Sequence, residues 1–253
     1  GALAERRGRE ACFATLEQAI EPLERAYCAR EGEHPELCGV PEGLRCELGA
    51  RRASRMRGSP ATRARLVLDL VREHQCPDAP RLLYDAAIWF EQARLLGAAI
   101  RVRSVLVESY PTDPRARRAI HQIGANYHAL AIYELAADWY ERYVMDGEPC
   151  DPAAAPEPCP DAADGLRSAV TFRLGLGQTE QALAGEALFQ RRFGRASPPI
   201  AAAVAFDIGA VHERAEDWPR LVEHYCAFLR RHRRAATPGQ RAAAHVAIAR
   251  GLI

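Results

Sequence analysis

Along most of the chain, apolar residues return at helical spacing, with polar and charged residues between them. Leu66, Val67, Leu70 and Val71 illustrate the pattern, because they recur three and four residues apart and so share one face of a helix. No segment shows the sustained alternation of apolar and polar residues that is typical of a strand. The sequence therefore predicts an all-α fold.

Several helix starts are marked by a capping residue followed by proline. The marks are Ser59-Pro60, Asp113-Pro114, Ser197-Pro198 and Thr237-Pro238, with Asp217-Trp218-Pro219 as a looser version. The cap oxygen accepts from an amide that has no helical partner, and proline has no amide to satisfy. These marks and the periodicity predict helices near 3–29, 41–56, 60–75, 80–95, 98–110, 114–130, 133–145, 162–175, 179–193, 198–215, 218–233 and 238–250.

A series of small and aromatic residues occurs twice in register. After Gly124, offsets of 3, 9, 12, 16 and 19 residues hold Tyr127, Tyr133, Ala136, Tyr140 and Tyr143. After Gly209, the same offsets hold His212, Trp218, Leu221, Tyr225 and Phe228. A unit of this length cannot bury its apolar face alone, so copies of it stack into an array.

This spacing resembles the tetratricopeptide repeat, a helix-turn-helix unit of about 34 residues. Segments 123–144 and 208–229 match best, while weaker copies depart from the pattern at Arg103, Arg173 and Glu186. The resemblance implies a right-handed superhelical solenoid of antiparallel helix pairs, in which Gly allows close crossing and Tyr140 or Tyr225 fills the gap. More narrowly, residues 84–144 are similar to extracytoplasmic tetratricopeptide proteins of myxobacteria and their relatives.

The repeats divide the chain into a helical cap and a solenoid. We expect an N-terminal helical capping region at 1–43 and a solenoid at 44–253. Its repeats lie near 44–76, 80–112, 117–149, 163–196 and 202–235, and a further helix starts within 238–253. Residues 146–161 replace the helical pattern with Gly, Pro, Cys and Asp, which indicates an insertion between helices.

Composition and charge exclude several classes of function. The formal net charge is +1, and acidic residues surround the basic cluster at 230–234, so no coherent positive face for nucleic acid is expected. No apolar run approaches the roughly 18 to 20 residues that span a bilayer. A lipid anchor outside this segment stays open, because the chain begins at Gly1 without Met and we expect it to be trimmed at both ends.

We find no motif for catalysis, cofactor binding or metal binding. The glycine-containing run 174–178 lacks the lysine of a phosphate-binding loop, and no nucleophile elbow or paired-histidine zinc motif occurs. Cys28, His34, Cys38 and Cys46 lack the close pairing of structural zinc ligands. The sequence therefore predicts a protein that is not an enzyme and that needs no cofactor.

The eight cysteines favour a periplasmic or otherwise extracytoplasmic compartment. The basic residues are all arginine, which indicates a bacterium with a GC-rich genome. Cys150 and Cys159 bracket a proline-rich stretch. A disulfide between them would limit the freedom of this loop and stabilise the folded chain by about 2 to 3 kcal/mol. The pairing of the others stays open: Cys12, Cys28, Cys38, Cys46, Cys76 and Cys226.

Protein or peptide binding remains as the function that the resemblance implies. In tetratricopeptide proteins the first helix of each pair lines a concave groove. Transferred position by position, the groove residues are Arg81, Tyr84, Glu91, Gln92, Arg118, His121, His128, Arg167, Thr171, Glu213 and Arg214. We therefore expect a non-catalytic scaffold that binds a partner in this groove within a bacterial envelope complex. The alternative is a structural spacer that assembles through its ends or through the insertion 146–161.

Overall fold

The computed structural model describes residues 35–146, 159 and 161–253, together with 14–15, 18–20 and 22 nearer the start. Side chains of 35–41 are not among the described parts. The helix predicted near 3–29 lies largely outside the described residues, as does most of the insertion 146–161. Every regular element in the described part is α-helical, so the predicted all-α fold is confirmed.

The chain divides into two compact units, Gly1–Ala119 and Ile120–Ile253. In the N-terminal unit, α1 (Pro35–Arg55), α2 (Pro60–Glu73), α3 (Ala79–Gln92) and α4 (Leu96–Ser109) each pack on the next helix in sequence. Helix α1 begins several residues before its predicted start at 41. Short connections between these helices make neighbours antiparallel, as expected for stacked helix pairs.

The C-terminal unit repeats this arrangement. Helix α5 (Pro114–Ala129) spans the division, and α6 (Tyr133–Met145), α7 (Ala162–Gly175), α8 (Thr179–Phe193), α9 (Pro198–Arg214), α10 (Trp218–Arg231) and α11 (Pro238–Gly251) follow. Helix α7 contacts both α8 and α9, and α9 contacts both α10 and α11. First helices of consecutive pairs therefore lie side by side, which is the packing of a helical repeat array.

The proline marks predict the helix starts correctly. Helices α2, α5, α9 and α11 begin at Pro60, Pro114, Pro198 and Pro238. The Ser59 hydroxyl accepts from the Thr62 amide, and Thr237 forms a capping box with Gln240. Ser197 makes no such side-chain bond, so at α9 the proline, whose φ already suits a helix, marks the start without a side-chain cap.

Glycine and tyrosine fit together between paired helices as the repeat pattern predicts. A Cβ atom at Gly124 on α5 would lie 2.9 Å from Cδ1 of Tyr140 on α6. Tyr140 is almost fully buried, and burial raises the pKa of its hydroxyl. The missing Cβ therefore gives the ring the space that it fills. Gly209 and Tyr225 make the same contact between α9 and α10.

Helices α7 and α8 also pack closely, but here the small residue lies on the second helix of the pair. Val170 of α7 takes the position equivalent to Gly124, and its Cγ2 lies 2.8 Å from where a Cβ on Gly185 of α8 would be. Both residues are buried. The degenerate repeat near 163–196 therefore keeps a close helix contact, although its first helix has lost the glycine.

Two buried arginines take the place of aromatic residues in the weaker repeats. Arg103 of α4 is fully buried, and its Nη1 donates to Glu91 Oε1 at 2.6 Å. Arg173 of α7 donates through Nε and Nη2 to Glu141 of α6 at 3.0 and 2.7 Å, and it also pairs with Asp138. These hydrogen bonds, led by the bond to Glu141, raise the pKa of Arg173. Each guanidinium is thereby paired with a carboxylate inside the fold.

A disulfide joins Cys46 of α1 to Cys76 in the connection between α2 and α3. Both side chains are buried, and the bond encloses α2 in a loop with a sequence separation of 30. Sequence spacing left this pairing open. Cys226 is a free, half-buried thiol.

Candidate functional site

The predicted groove residues of the C-terminal unit lie on three helices, α5, α7 and α9, and contacts join α7 to both of the others. The His121 ring of α5 lies 3.5 Å from where a Cβ on Gly165 of α7 would be, which is van der Waals distance, so the two helices are neighbours at this point. Across the other side, the charge of Arg167 on α7 acts on Asp207 of α9. The first-helix surface is therefore continuous over α5, α7 and α9.

His121 is held in an aromatic environment at the base of this surface. Its ring centroid lies 5.3 Å from that of Tyr140 and 5.1 Å from that of Tyr143. Burial lowers the pKa of His121, and the negative charge of Asp161 opposes this shift. The imidazole is therefore neutral at physiological pH and acts as a polar ring that is packed between tyrosines.

His128 is exposed and lies about two turns after His121 on α5. Its ring meets Phe172 of α7 edge-on at 4.7 Å, and Phe172 in turn lies 4.9 Å from Tyr133. Tyr133 is 43% exposed. Aromatic side chains that are half-exposed and already ordered by packing supply contact area at low entropic cost, as in many protein interfaces.

Arg167 and Thr171 are exposed neighbours on α7. The Thr171 hydroxyl donates to the Arg167 carbonyl at 3.1 Å, which fixes the hydroxyl against its own helix. Burial raises the pKa of Asp207 on α9, while the adjacent Arg167 lowers it. Asp207 was not among the predicted groove residues. Its position directly after Phe206 on a first helix is the signal that could have identified it.

The charges of Glu213 and Arg214, at the end of α9, are directed to neighbouring helices. Glu213 accepts a hydrogen bond from Arg250 of α11 at 2.9 Å, in an ion pair that is largely exposed. Arg214 donates to the backbone carbonyl of Leu174 at the end of α7. Both residues connect helices, and both still present exposed atoms to solvent.

Most groove positions of the N-terminal unit lie on α3. Arg81 is paired with Asp78, with Glu47 at 3.4 Å and with Asp85 at 3.5 Å. Glu91 is held by the buried Arg103, whereas Tyr84 is half-buried and Gln92 is exposed. Arg118 is exposed on the part of α5 that belongs to this unit. Most of the charge on α3 therefore serves internal ion pairs.

The described residues group no potential metal ligands beside this surface. Within them, no group of three or more His, Cys, Asp or Glu side chains is placed to hold a metal ion. Of the described helices, none is both long enough and apolar enough to cross a membrane. The arrangement can bind another molecule through aromatic contacts, guanidinium groups and hydrogen bonds.

Cys159 is disulfide-bonded. Its proposed partner Cys150 lies outside the described residues, so the pairing of these two cysteines stays a prediction. With Cys46–Cys76, the described part of the chain carries disulfide bonding on both sides of its division into units.

Comparison with known proteins gives structural neighbours only. Neither a protein-family model nor a curated protein matches the chain. Among solved structures, a "MamA RS-1 ArsTM double mutant" and "MamA 41-end from Desulfovibrio magneticus RS-1" are each 20% identical, with a TM-score of 0.42. The matches cover 76% of this chain and 95% and 96% of those chains, respectively. Likeness at this level says nothing about what the chain binds.

Proposed function

We propose that this protein is a non-catalytic scaffold that holds a protein or peptide partner on the first-helix surface of its C-terminal unit. The observation that carries the proposal is the packing of α7 against both α5, where Gly165 lies at His121, and α9. It makes one binding surface from three helices. The resemblance to tetratricopeptide repeats supports the same surface.

The chemistry of this surface favours a partner segment that carries carboxylates and aromatic or aliphatic side chains. Arg167 supplies an exposed guanidinium, which binds carboxylates in bidentate geometry. His128, Phe172 and Tyr133 form a packed aromatic cluster across α5, α7 and α6. A partner that contacts both would gain direction from the charge and affinity from the aromatic burial.

Affinity purification from the native host tests this assignment. Partners that co-purify with the wild-type chain should be lost, with affinity at least about tenfold weaker, when Arg167→Glu and His128→Ala are combined. Arg191→Glu is the matched control, because Arg191 is equally exposed but lies on the second helix α8. If the double variant keeps its partner while deletion of 147–160 loses it, the chain is instead a spacer that assembles through the insertion.

We further propose that the protein works outside the cytoplasm, in a bacterial envelope complex. The disulfide Cys46–Cys76 and the bonded Cys159 support an oxidising compartment, since such bonds are rare where thiols are kept reduced. Non-reducing peptide mass mapping of protein from its host should find Cys46 joined to Cys76. Recovery of both cysteines as free thiols from freshly alkylated cells would contradict this location.

A further inference from the structure

An apolar groove lies in the N-terminal unit, and its described lining includes none of the predicted partner-binding residues. It runs between α2 and α4, the second helices of consecutive pairs, and α3 closes its floor. Its volume is about 440 Å³. Leu68 and Val71 of α2 form one wall, Val102 and Val105 of α4 form the other, and Phe90 of α3 lies beneath them. The volume is within the range of small-ligand and side-chain pockets.

The walls of this groove are arranged as two facing helical stripes. Leu68 and Val71 are three residues apart, as are Val102 and Val105, so each pair projects from one side of its helix. Val105 is 48% exposed, although Val102 one turn earlier is buried. The described residues thus leave an apolar stripe in contact with solvent, and covering it would release that water.

The polar side chains at the groove are basic. Arg72 and Arg101 line it, and among the described lining residues there is no carboxylate. Arg72 has Asp69 at 3.3 Å, but both side chains are mostly exposed, so that ion pair holds the guanidinium weakly. Arg101 is exposed on α4. An occupant with apolar side chains at its centre and acidic groups at its margins would complement both the floor and the rim.

We propose that this groove binds the apolar face of an acidic amphipathic helix from a partner protein. A helix is favoured over an extended peptide because it bonds its own backbone groups, whereas an extended peptide gains affinity by adding to a sheet edge. The walls here are helices, whose backbone groups already bond within α2 and α4. Apolar residues three or four apart on the partner would enter between Val71 and Val105, with its carboxylates at Arg72 and Arg101.

This second surface is independent of the first-helix surface in residues and in test. The probe is a display library of helix-forming peptides of about 16 residues, a length at which isolated helices begin to form. Selection on the full chain should enrich peptides with acidic residues around an apolar stripe. Fluorescence anisotropy then measures the affinity of the enriched peptides for each variant.

Two variants of exposed groove residues decide the outcome. Val105→Glu and the double variant Arg72→Glu with Arg101→Glu should each weaken the selected peptides by at least about tenfold. Val246→Glu is the matched control, since Val246 is 60% exposed on α11 and lies outside the groove; it should change affinity by less than about twofold. Circular dichroism verifies that each variant is folded, and if Val105→Glu is not, the arginine variant alone carries the test.

Other results would overturn the proposal. Enrichment of basic or uncharged peptides, or equal binding by the wild-type chain and the arginine variant, would exclude an acidic helix. A dimer in analytical ultracentrifugation that Val105→Glu dissociates would show that a second copy of this chain covers the groove. Loss of peptide binding in the variant Arg167→Glu with His128→Ala would place the peptides on the first-helix surface instead.

Discussion

Two helix pairs of this protein solve the same packing problem with different chemistry. In the pair α5–α6, Tyr140 fills the space opposite Gly124. In the pair α3–α4, the equivalent positions hold Arg103 and Ala87, and both residues are fully buried. The guanidinium of Arg103 is tolerated because Glu91 lies 2.6 Å away. The slot therefore selects a long side chain of suitable shape, and a charged one is accepted where a carboxylate neutralises it.

The pair α7–α8 shows a third arrangement, in which the small residue at the crossing lies on the second helix and not on the first. Val170 lies where the other C-terminal pairs have glycine, and Gly185 on the facing helix supplies the space instead. Close approach of paired helices thus requires one small residue at the crossing, whichever helix carries it. Four substitution experiments, from the largest expected effect to the smallest, test this comparison.

Removing the aromatic side chain should have the largest effect. Tyr140→Ala deletes a ring that is 5% exposed, and we expect the free energy of unfolding to fall. Loss of a large buried aromatic side chain typically costs about 3 to 5 kcal/mol, because a cavity remains. Tyr133→Ala, at a ring that is 43% exposed, should cost far less in the same urea titration. Equal losses at both positions would show that Tyr140 does not fill the crossing.

Removing the carboxylate should have the next largest effect. Glu91→Ala leaves the buried guanidinium of Arg103 without this acceptor, and we expect a loss of about 2 to 3 kcal/mol, reduced from the fully buried case because Glu91 is 30% exposed. Replacing Arg103 by Met in the same chain should recover most of that loss, since no charge then needs a partner. Failure of Met to restore stability in chemical denaturation would mean that the arginine contributes through bonds other than the pair.

Adding a methyl group at the crossings should have a moderate effect. Gly124→Ala and Gly185→Ala each place a Cβ within 3.0 Å of a buried side chain, so overpacking by about 1 to 3 kcal/mol is expected. Combining Gly185→Ala with Val170→Ala should relieve the clash at α7–α8. Gly175→Ala is the matched control, because a Cβ added there would have no atom of another helix or side chain within 4 Å. It should raise the free energy of unfolding slightly. A loss at Gly175 of the same size would indicate a backbone effect.

The pH dependence should show the smallest effect. Burial lowers the pKa of His121 in the folded chain. As the pH falls through about 6.5, the unfolded chain therefore binds more protons at this histidine than the folded chain does. The free energy of unfolding should therefore fall as the pH decreases through this range. His121→Gln should reduce that slope in urea titrations between pH 7 and pH 5 (about the range in which histidine titrates). An unchanged slope would show that the imidazole is protonated equally in both states.

The sequence predicted the parts of the fold that depend on local chemistry. Proline with a capping residue marks helix starts, and the offset from Gly124 to Tyr140 predicts their contact, because these signals depend on helix geometry alone. Position transfer also named residues such as His128 and Arg167, which the structure places on adjoining helices; their role in binding stays a prediction.

Other features depend on residues that only folding brings together. Arg173 was recognised as a departure from the repeat, but its partners Asp138 and Glu141 lie 35 and 32 residues earlier. Cys46 and Cys76 are likewise distant, and spacing could not choose their pairing. The sequence places Val170 at the position where the better repeats have glycine. The compensating role of Gly185 depends on the Val170 side chain that faces it, which only the folded structure shows.

The Cys46–Cys76 bond also has a mechanical consequence. A stretching force applied at the chain ends would travel through the sulfur atoms and bypass α2, so residues 47–75 would carry no load. Fully extended, this segment would span roughly 100 Å at about 3.3 to 3.6 Å per residue. That length would be missing from the extension measured under force until the bond is reduced. A protein that bears tension would thus keep this helix folded under loads that unravel its unbridged repeats.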